Sequence, residues 1–297
     1  MLEELNTRHG IAGRVTFVVG EGGHIKVSLV SDWAVAEVYL HGATVTRFQP
    51  RDAKPVLWLS RQAVFQSGKA IRGGIPVCWP WFGPHPSDKS KPQHGFARIS
   101  EWGVAGSIAL DDGSVQLRLK LADNESTRAL WPHEFELELA VTVGRELKVE
   151  LTARNPGREA FQMSGALHSY FQVGDICRTQ IAGLAGAEYV DQPDGNRIKR
   201  QSGPVRVAEE VDRIYLDTDA ACLIDDAAQK RIIKVAKSGS RSTVVWNPWA
   251  AKAAKMSDFP DDGWRTMVCV ETANAANDAR ELRPGESHTL TQVISIN

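Results

Sequence analysis

Val115-Gln-Leu-Arg-Leu-Lys-Leu121, Phe135-Glu-Leu-Glu-Leu-Ala-Val-Thr-Val143 and Leu147-Lys-Val-Glu-Leu-Thr-Ala153 place apolar residues at every second position. Successive side chains of a β-strand point to opposite faces, so this period describes half-buried antiparallel strands. Gly144-Arg145-Glu146 is short enough to close the last two runs into a hairpin, and Asp111-Asp112-Gly113-Ser114 has the composition of a second hairpin turn. Working outward, further strands are expected at 14–19, 24–30, 34–40, 56–60, 231–236, 243–246, 265–271 and 288–296. One short helix is expected over Trp249–Met256. Asn247 can cap it and Pro248 suits its first position. The stretches Ile71–Arg98 and 172–212 are rich in Gly, Pro and Asp and read as long loops that are functional or hold short elements. No repeat, low-complexity segment or linker interrupts the pattern, so residues 1–297 are expected to form one all-β domain.

Composition bounds the function. With 297 residues, 42% apolar and 24% charged, the chain can bury a large core. A net charge of −1 and no Lys/Arg run leave no basic face for a nucleic-acid partner. No apolar run approaches the roughly 20 residues that span a bilayer, so no membrane partner is expected. The N-terminus lacks the apolar stretch of a secretory signal, so a cytoplasmic location is expected. Cys78, Cys177, Cys222 and Cys269 form no C-x-x-C pair. They are expected to be free, mostly buried thiols, neither a zinc site nor a disulfide framework.

Five segments carry groups capable of chemistry. In Phe161–Phe171, read as one strand, Phe161, Met163 and Leu167 share one face and Gln162, Ser164, His168 and Tyr170 the other. Taken alone, His168 is an ordinary half-exposed strand histidine. In Arg265–Asn274 a hydrophobic strand ends in Glu271, and strand ends carry ordinary solvated carboxylates as well as functional ones. Ile71–Gly83 offers Arg72 followed by Gly73 and Gly74, which let a ligand approach the backbone. Its Trp79, Trp81 and Phe82 suit a core or a sugar platform. Gln93-His94-Gly-Phe-Ala-Arg98 sets an amide, an imidazole and a guanidinium within six residues. Asp212 precedes a strand, where it serves as a turn or cap residue or as an acceptor.

Together and in this order the segments resemble the hexose-6-phosphate mutarotases, or glucose-6-phosphate 1-epimerases, of the aldose 1-epimerase (galactose-mutarotase-like) superfamily. The resemblance runs from His41-Gly-Ala-Thr-Val through Trp246-Asn-Pro-Trp249 to Glu271-Thr-Ala-Asn274, and Ser169 stands where relatives often have Thr. It implies a large antiparallel β-sandwich with few short helices, the galactose-mutarotase-like supersandwich, with its site on a concave face. It implies His168 as general acid, Glu271 as general base, and Arg72, Gln93, His94, Arg98 and Asp212 as substrate-binding residues. The implied substrate is a small phosphosugar. No cofactor or metal is implied, and a monomer is the default. The residue types suit mutarotation, because opening a hemiacetal needs one proton delivered to the ring oxygen and one removed from the anomeric hydroxyl. From solution values near about 4.3 and 6.5, Glu271 is expected to be ionised and an unperturbed His168 mostly neutral at pH 7. A bell-shaped pH–rate profile with an acidic limb from Glu271 follows. The alternatives are a mutarotase for free hexoses and a carbohydrate-binding protein without catalysis. A glycoside hydrolase normally needs two carboxylates where this chain offers His and Glu.

Overall fold

The computed structural model of the chain describes residues 1–296. Two large antiparallel sheets carry the architecture. The first has nine strands. At its centre Val115–Ala122, Glu136–Val143 and Leu147–Arg154 run side by side, and Ser287–Ile296 joins the last of them to Arg231–Ser238. The alternation in the sequence becomes alternating burial: Val115, Leu117, Leu119 and Leu121 are buried while Arg118 and Lys120 are exposed. Both expected hairpins form. Gly144 N–H donates to Glu146 O, and Leu110 N–H donates to Ser114 O.

The second sheet has eight strands and bears the residues of interest. Its middle runs Val211–Tyr215, Ser242–Asn247, Met267–Asn274 and then Gly165–Leu167, with Tyr170–Gln172 also on Met267–Asn274. The two sheets enclose a continuous apolar core from Val15 to Ile294. A four-stranded sheet, Val15–Val19, Ile25–Val30, Ala34–Tyr39 and Val45–Pro50, lies against the first sheet. A large antiparallel β-sandwich with few short helices is therefore the fold.

The details depart from the sequence reading in several places. Residues 56–60 form isolated bridges, Leu57 to Phe171 and Leu59 to Gly73, instead of a strand. Phe161–Phe171 is not one strand. Phe161–Met163 pairs in a separate two-stranded sheet with Arg280–Leu282, while Gly165–Leu167 and Tyr170–Gln172 belong to the eight-stranded sheet. Ser164 makes the break: its N–H donates to Pro80 O and its hydroxyl accepts from Phe82 N–H. Residues 263–266 form a 3₁₀ turn, and the strand that follows runs on to Asn274. The expected helix is shorter, Trp249–Ala253, and its N-cap is Pro248 with no side-chain cap bond; Asn247 stands one residue earlier, where its side chain accepts from Trp249 N–H in a turn. Two helices went unread. Leu2–His9 has Glu3 and Glu4 in its first turn and Arg8 and His9 in its last, complementing the helix dipole. Glu125–Leu130 begins with a reciprocal capping box between Asn124 and Thr127. The stretch 172–212 holds short strands, among them Thr179–Ala182, Glu188–Asp191 and Arg197–Arg200. Cys78, Cys222 and Cys269 are buried, Cys177 is exposed, and all four are free.

Gly73 and Gly74 have a different purpose from the one expected. At φ +113° and +67°, a Cβ on Gly73 would lie 2.6 Å from Trp58 O and one on Gly74 2.1 Å from Val45 O. The close approach is by the protein's own backbone, so these glycines pack the Arg72 loop against its neighbours.

Candidate active site

The site is built from two rows of cross-strand neighbours. In the pairing of Gly165–Leu167 and Tyr170–Gln172 with Met267–Asn274, Leu167 faces Thr272 and Tyr170 faces Cys269. The same register carried through the intervening gap sets His168 opposite Glu271 and Ser169 opposite Val270. Val270 N–H donates to Ser169 O (3.2 Å), which makes His168–Glu271 the neighbouring non-hydrogen-bonded pair, where side chains come closest. Across the next strand Glu271 faces Val244, and Cys269 faces Trp246, which in turn faces Asp212. One row thus reads Val244, Glu271, His168, and the next Asp212, Trp246, Cys269, Tyr170. Residues directly opposite point to the same face.

On that face lies a cleft of about 290 Å³. Arg72, Gln93, His94, Arg98, His168, Asp212 and Glu271 all line it. Seven residues from five separated segments are brought together. The further lining side chains Pro84, Gln192, Val244, Trp246, Lys252 and Met256 were not expected as site residues. The signals for them were the Trp246-Asn-Pro-Trp249 run and the expected elements that hold Val244, Lys252 and Met256. Trp79 and Trp81 are core residues, and Phe82 borders the cleft. A larger open depression lies over the nine-stranded sheet, but its Arg154 and Glu136 are paired with each other at 3.2 Å.

His168 Nδ1 lies 3.3 Å from Glu271 Oε1, and both side chains are almost wholly buried. Glu271 sits mid-strand, not at the strand end that the sequence suggested, and burial works against its expected ionisation. Desolvation above all, with Asp212 adding and Arg98 opposing, raises the Glu271 pKa well above the usual carboxylate value. Desolvation, then Arg98 and Arg72, push His168 well below the usual imidazole value. Burial thus favours the neutral form of both groups. His168 also stacks on Tyr170, with ring centroids 4.8 Å apart and planes 9° off parallel.

The other groups are held just as specifically. Arg72 Nε donates to Asp258 Oδ2 and its Nη1 to Tyr170 OH, each at 3.1 Å. Burial opposes the guanidinium charge, but Tyr170 and Asp258 outweigh it and the pKa is raised. His94 packs edge-on to His168 at 5.6 Å. Its Nδ1 accepts from Gly83 N–H (3.2 Å), which leaves the proton on Nε2. Burial, then Arg98, His168 and Arg72, hold His94 well below its usual pKa, so it is a neutral donor. Arg98 donates to Gln93 O at 2.7 Å, and its buried Nε has no partner among the described residues. Asp212 accepts from Gln192 at 2.7 Å and lies 3.6 Å from Lys252 Nζ, which is itself paired with Glu210 at 2.7 Å. Burial pushes the Asp212 carboxyl up to about 6, Lys252 opposing and Glu210 adding. Two groups among the described residues bring three metal-type donors within 4.8 Å: His168, Cys269 and Glu271, and His24, His41 and Glu101. In the first, burial and then Glu271 raise the thiol pKa well above its usual value.

Residues 26–295 match the family model described as aldose 1-epimerase. The chain belongs to the aldose 1-epimerase family. Its relatives include a Salmonella typhimurium protein provisionally named glucose-6-phosphate 1-epimerase, 39% identical over 88% of this chain and 86% of that one. An Escherichia coli protein with the same provisional name is 37% identical over 88% and 86%. Among solved structures, a provisionally named mutarotase from Salmonella typhimurium superposes with a TM-score of 0.90 at 32% identity, covering 100% of this chain and 99% of that one. Galactose 1-epimerase from Lactobacillus acidophilus shares the fold, with a TM-score of 0.75 at 13% identity over 96% and 98%. No helix among the described residues of this family member is long and apolar enough to cross a membrane.

Proposed function

We propose that the chain interconverts the α and β anomers of a hexose 6-phosphate, most naturally D-glucose 6-phosphate, with His168 and Glu271 as the acid–base pair. The observation that carries the reading is the register: a buried imidazole and carboxyl stand opposite each other, 3.3 Å apart, in a cleft lined by every other expected binding residue. The relatives' names agree with the activity.

Glu271 removes the proton of the anomeric hydroxyl while His168 delivers one to the ring oxygen. The C1–ring-oxygen bond breaks and the open-chain aldehyde forms. It rotates about its C1–C2 bond, and on reclosure the roles reverse: Glu271 gives its proton to the carbonyl oxygen and His168 takes one back from the C5 hydroxyl as the ring closes on the other face. Each positioned transfer contributes roughly 10²–10⁴-fold. In the ring-opened complex His168 is neutral and Glu271 protonated, which is the state that burial favours.

The phosphate preference rests on Arg98. Arg72 is paired with Asp258 and Lys252 with Glu210, whereas Arg98 has no acidic partner among the described residues and keeps a buried unpartnered Nε. A guanidinium fork suits a phosphate bidentately. Arg72 supports it, Asp212 and Gln93 take sugar hydroxyls, and His94 donates from Nε2. This reading needs no cofactor and treats residues 1–297 as one domain, in keeping with the unbroken apolar core. The test is polarimetry or anomer-resolved exchange NMR on fresh α-glucose 6-phosphate and α-glucose. Wild type is expected to accelerate the phosphosugar, and Arg98→Ala to lose at least tenfold more on it than on glucose. Equal losses on both sugars remove the phosphate assignment, and no acceleration of either removes the enzyme reading.

A further inference from the structure

Gln292 is wholly buried between the two large sheets, on the strand Ser287–Ile296. Both ends of its amide are used. Its Oε1 accepts from the Ser169 hydroxyl, and its Nε2 donates to Thr272 Oγ1 at 3.0 Å. Ser169 and Thr272 are the residues that directly follow His168 and Glu271. Alternation turns them to the core face when the pair faces the cleft. Their neighbours on that face, Leu167, Phe171, Val268 and Val270, are apolar and buried.

The tie falls where the backbone ladder is incomplete. Val270 N–H donates to Ser169 O, but Ser169 N–H turns back to Leu167 O instead of completing the pair. His168 N–H donates to Pro76 O on its other side, as its place in a non-hydrogen-bonded pair requires. The two strands therefore lack a ladder bond beside the reacting pair, and a side-chain bridge from the opposite sheet spans the gap. A buried amide is costly unless fully bonded, and a Met or Leu of similar size would fill the same space without that demand.

We propose that Gln292 is a positioning residue: by clamping Ser169 to Thr272 from behind the sheet, it sets the separation of His168 and Glu271. The proposal rests on the acid–base reading above. A loosened clamp moves the pair without touching the substrate pocket, so kcat falls and KM does not.

The experiment compares wild type with Gln292→Met and Gln292→Glu in hexose 6-phosphate mutarotation, with melting temperature and the ¹⁵N and ¹H shifts of the His168 ring alongside. Gln292→Met is expected to lower kcat at least tenfold with KM within threefold, to move the pH profile and to shift the His168 ring signals. Gln292→Glu, protonated at this buried position, can both accept and donate as the amide does. It is expected to keep kcat within threefold near pH 6 and to lose it as pH rises, and it serves alone should Gln292→Met not fold. A lower melting temperature with unchanged kcat, pH profile and ring signals makes Gln292 a packing residue and overturns the proposal. Wild type without mutarotase activity sinks the acid–base reading instead, and the ring shifts then still report whether Gln292 holds His168.

Discussion

Replacing Glu271 by Gln is expected to separate activity from stability. The carboxyl is wholly buried, its Oε2 has no hydrogen-bond partner, and burial raises its pKa well above the usual value. The sign follows from proton counts. Between the unfolded pKa near about 4.3 and the higher folded value, the native state holds a proton that the unfolded state has lost, so stability falls as pH rises through that window. Each pH unit of that window costs about 1.4 kcal/mol. A neutral amide of the same size removes the cost, and its N–H can donate to the unpartnered Nδ1 of His168, 3.3 Å from the present oxygen. The variant is therefore expected to melt at or above the wild-type temperature at pH 7.5, with roughly 2–4 °C for each kcal/mol recovered. At pH 4.5, where the wild-type carboxyl carries its proton, the two should converge. Loss of the base should lower kcat by about 10²–10⁴-fold. Calorimetry at the two pH values, with exchange NMR at pH 7.5, measures both halves. Activity within threefold of wild type refutes the base, and a melting temperature several degrees lower at pH 7.5 refutes the electrostatic reasoning.

Three further outcomes are expected. His94 is neutral when folded and takes a proton when unfolded below about pH 6.5, so it contributes stability that is lost as pH falls through that value, about 1.4 kcal/mol per unit. In urea unfolding between pH 7.5 and 5.5, His94→Gln should flatten the dependence, and identical slopes would falsify this. Asp212, pushed up to about 6, should make KM rise as pH drops through that value. The phosphate's second proton titrates near there too, so the evidence is the difference between wild type and Asp212→Asn, with the variant expected to show the weaker dependence. Gly74→Ala puts a Cβ 2.1 Å from Val45 O at φ +67°, and a loss of more than about 2 kcal/mol is expected from the left-handed backbone and the clash. An unchanged melting temperature shows that the loop has room to spare.

The amino-acid sequence by itself determined five of the nine strands of the first sheet and two of its hairpin turns, because period two is a local property and each turn lies a few residues from the runs it joins. Parity along 161–171 likewise separated Leu167 from His168 and Tyr170, even though that run is broken in space. The resemblance named seven residues that the fold gathers around one cleft. What only the tertiary structure decided depends on register between distant segments. His168 meets Glu271 across 103 positions of chain, and shifting either strand by one residue would turn its side chain to the core. The protonation of that pair was not legible either, since solution values describe a carboxyl in water and Glu271 is sealed inside a sheet. Gln292 looks from its own strand like an ordinary polar residue. Only the packing of one sheet on the other brings its amide behind His168 and Glu271, and short-range periodicity carries no information about which sheet will cover which.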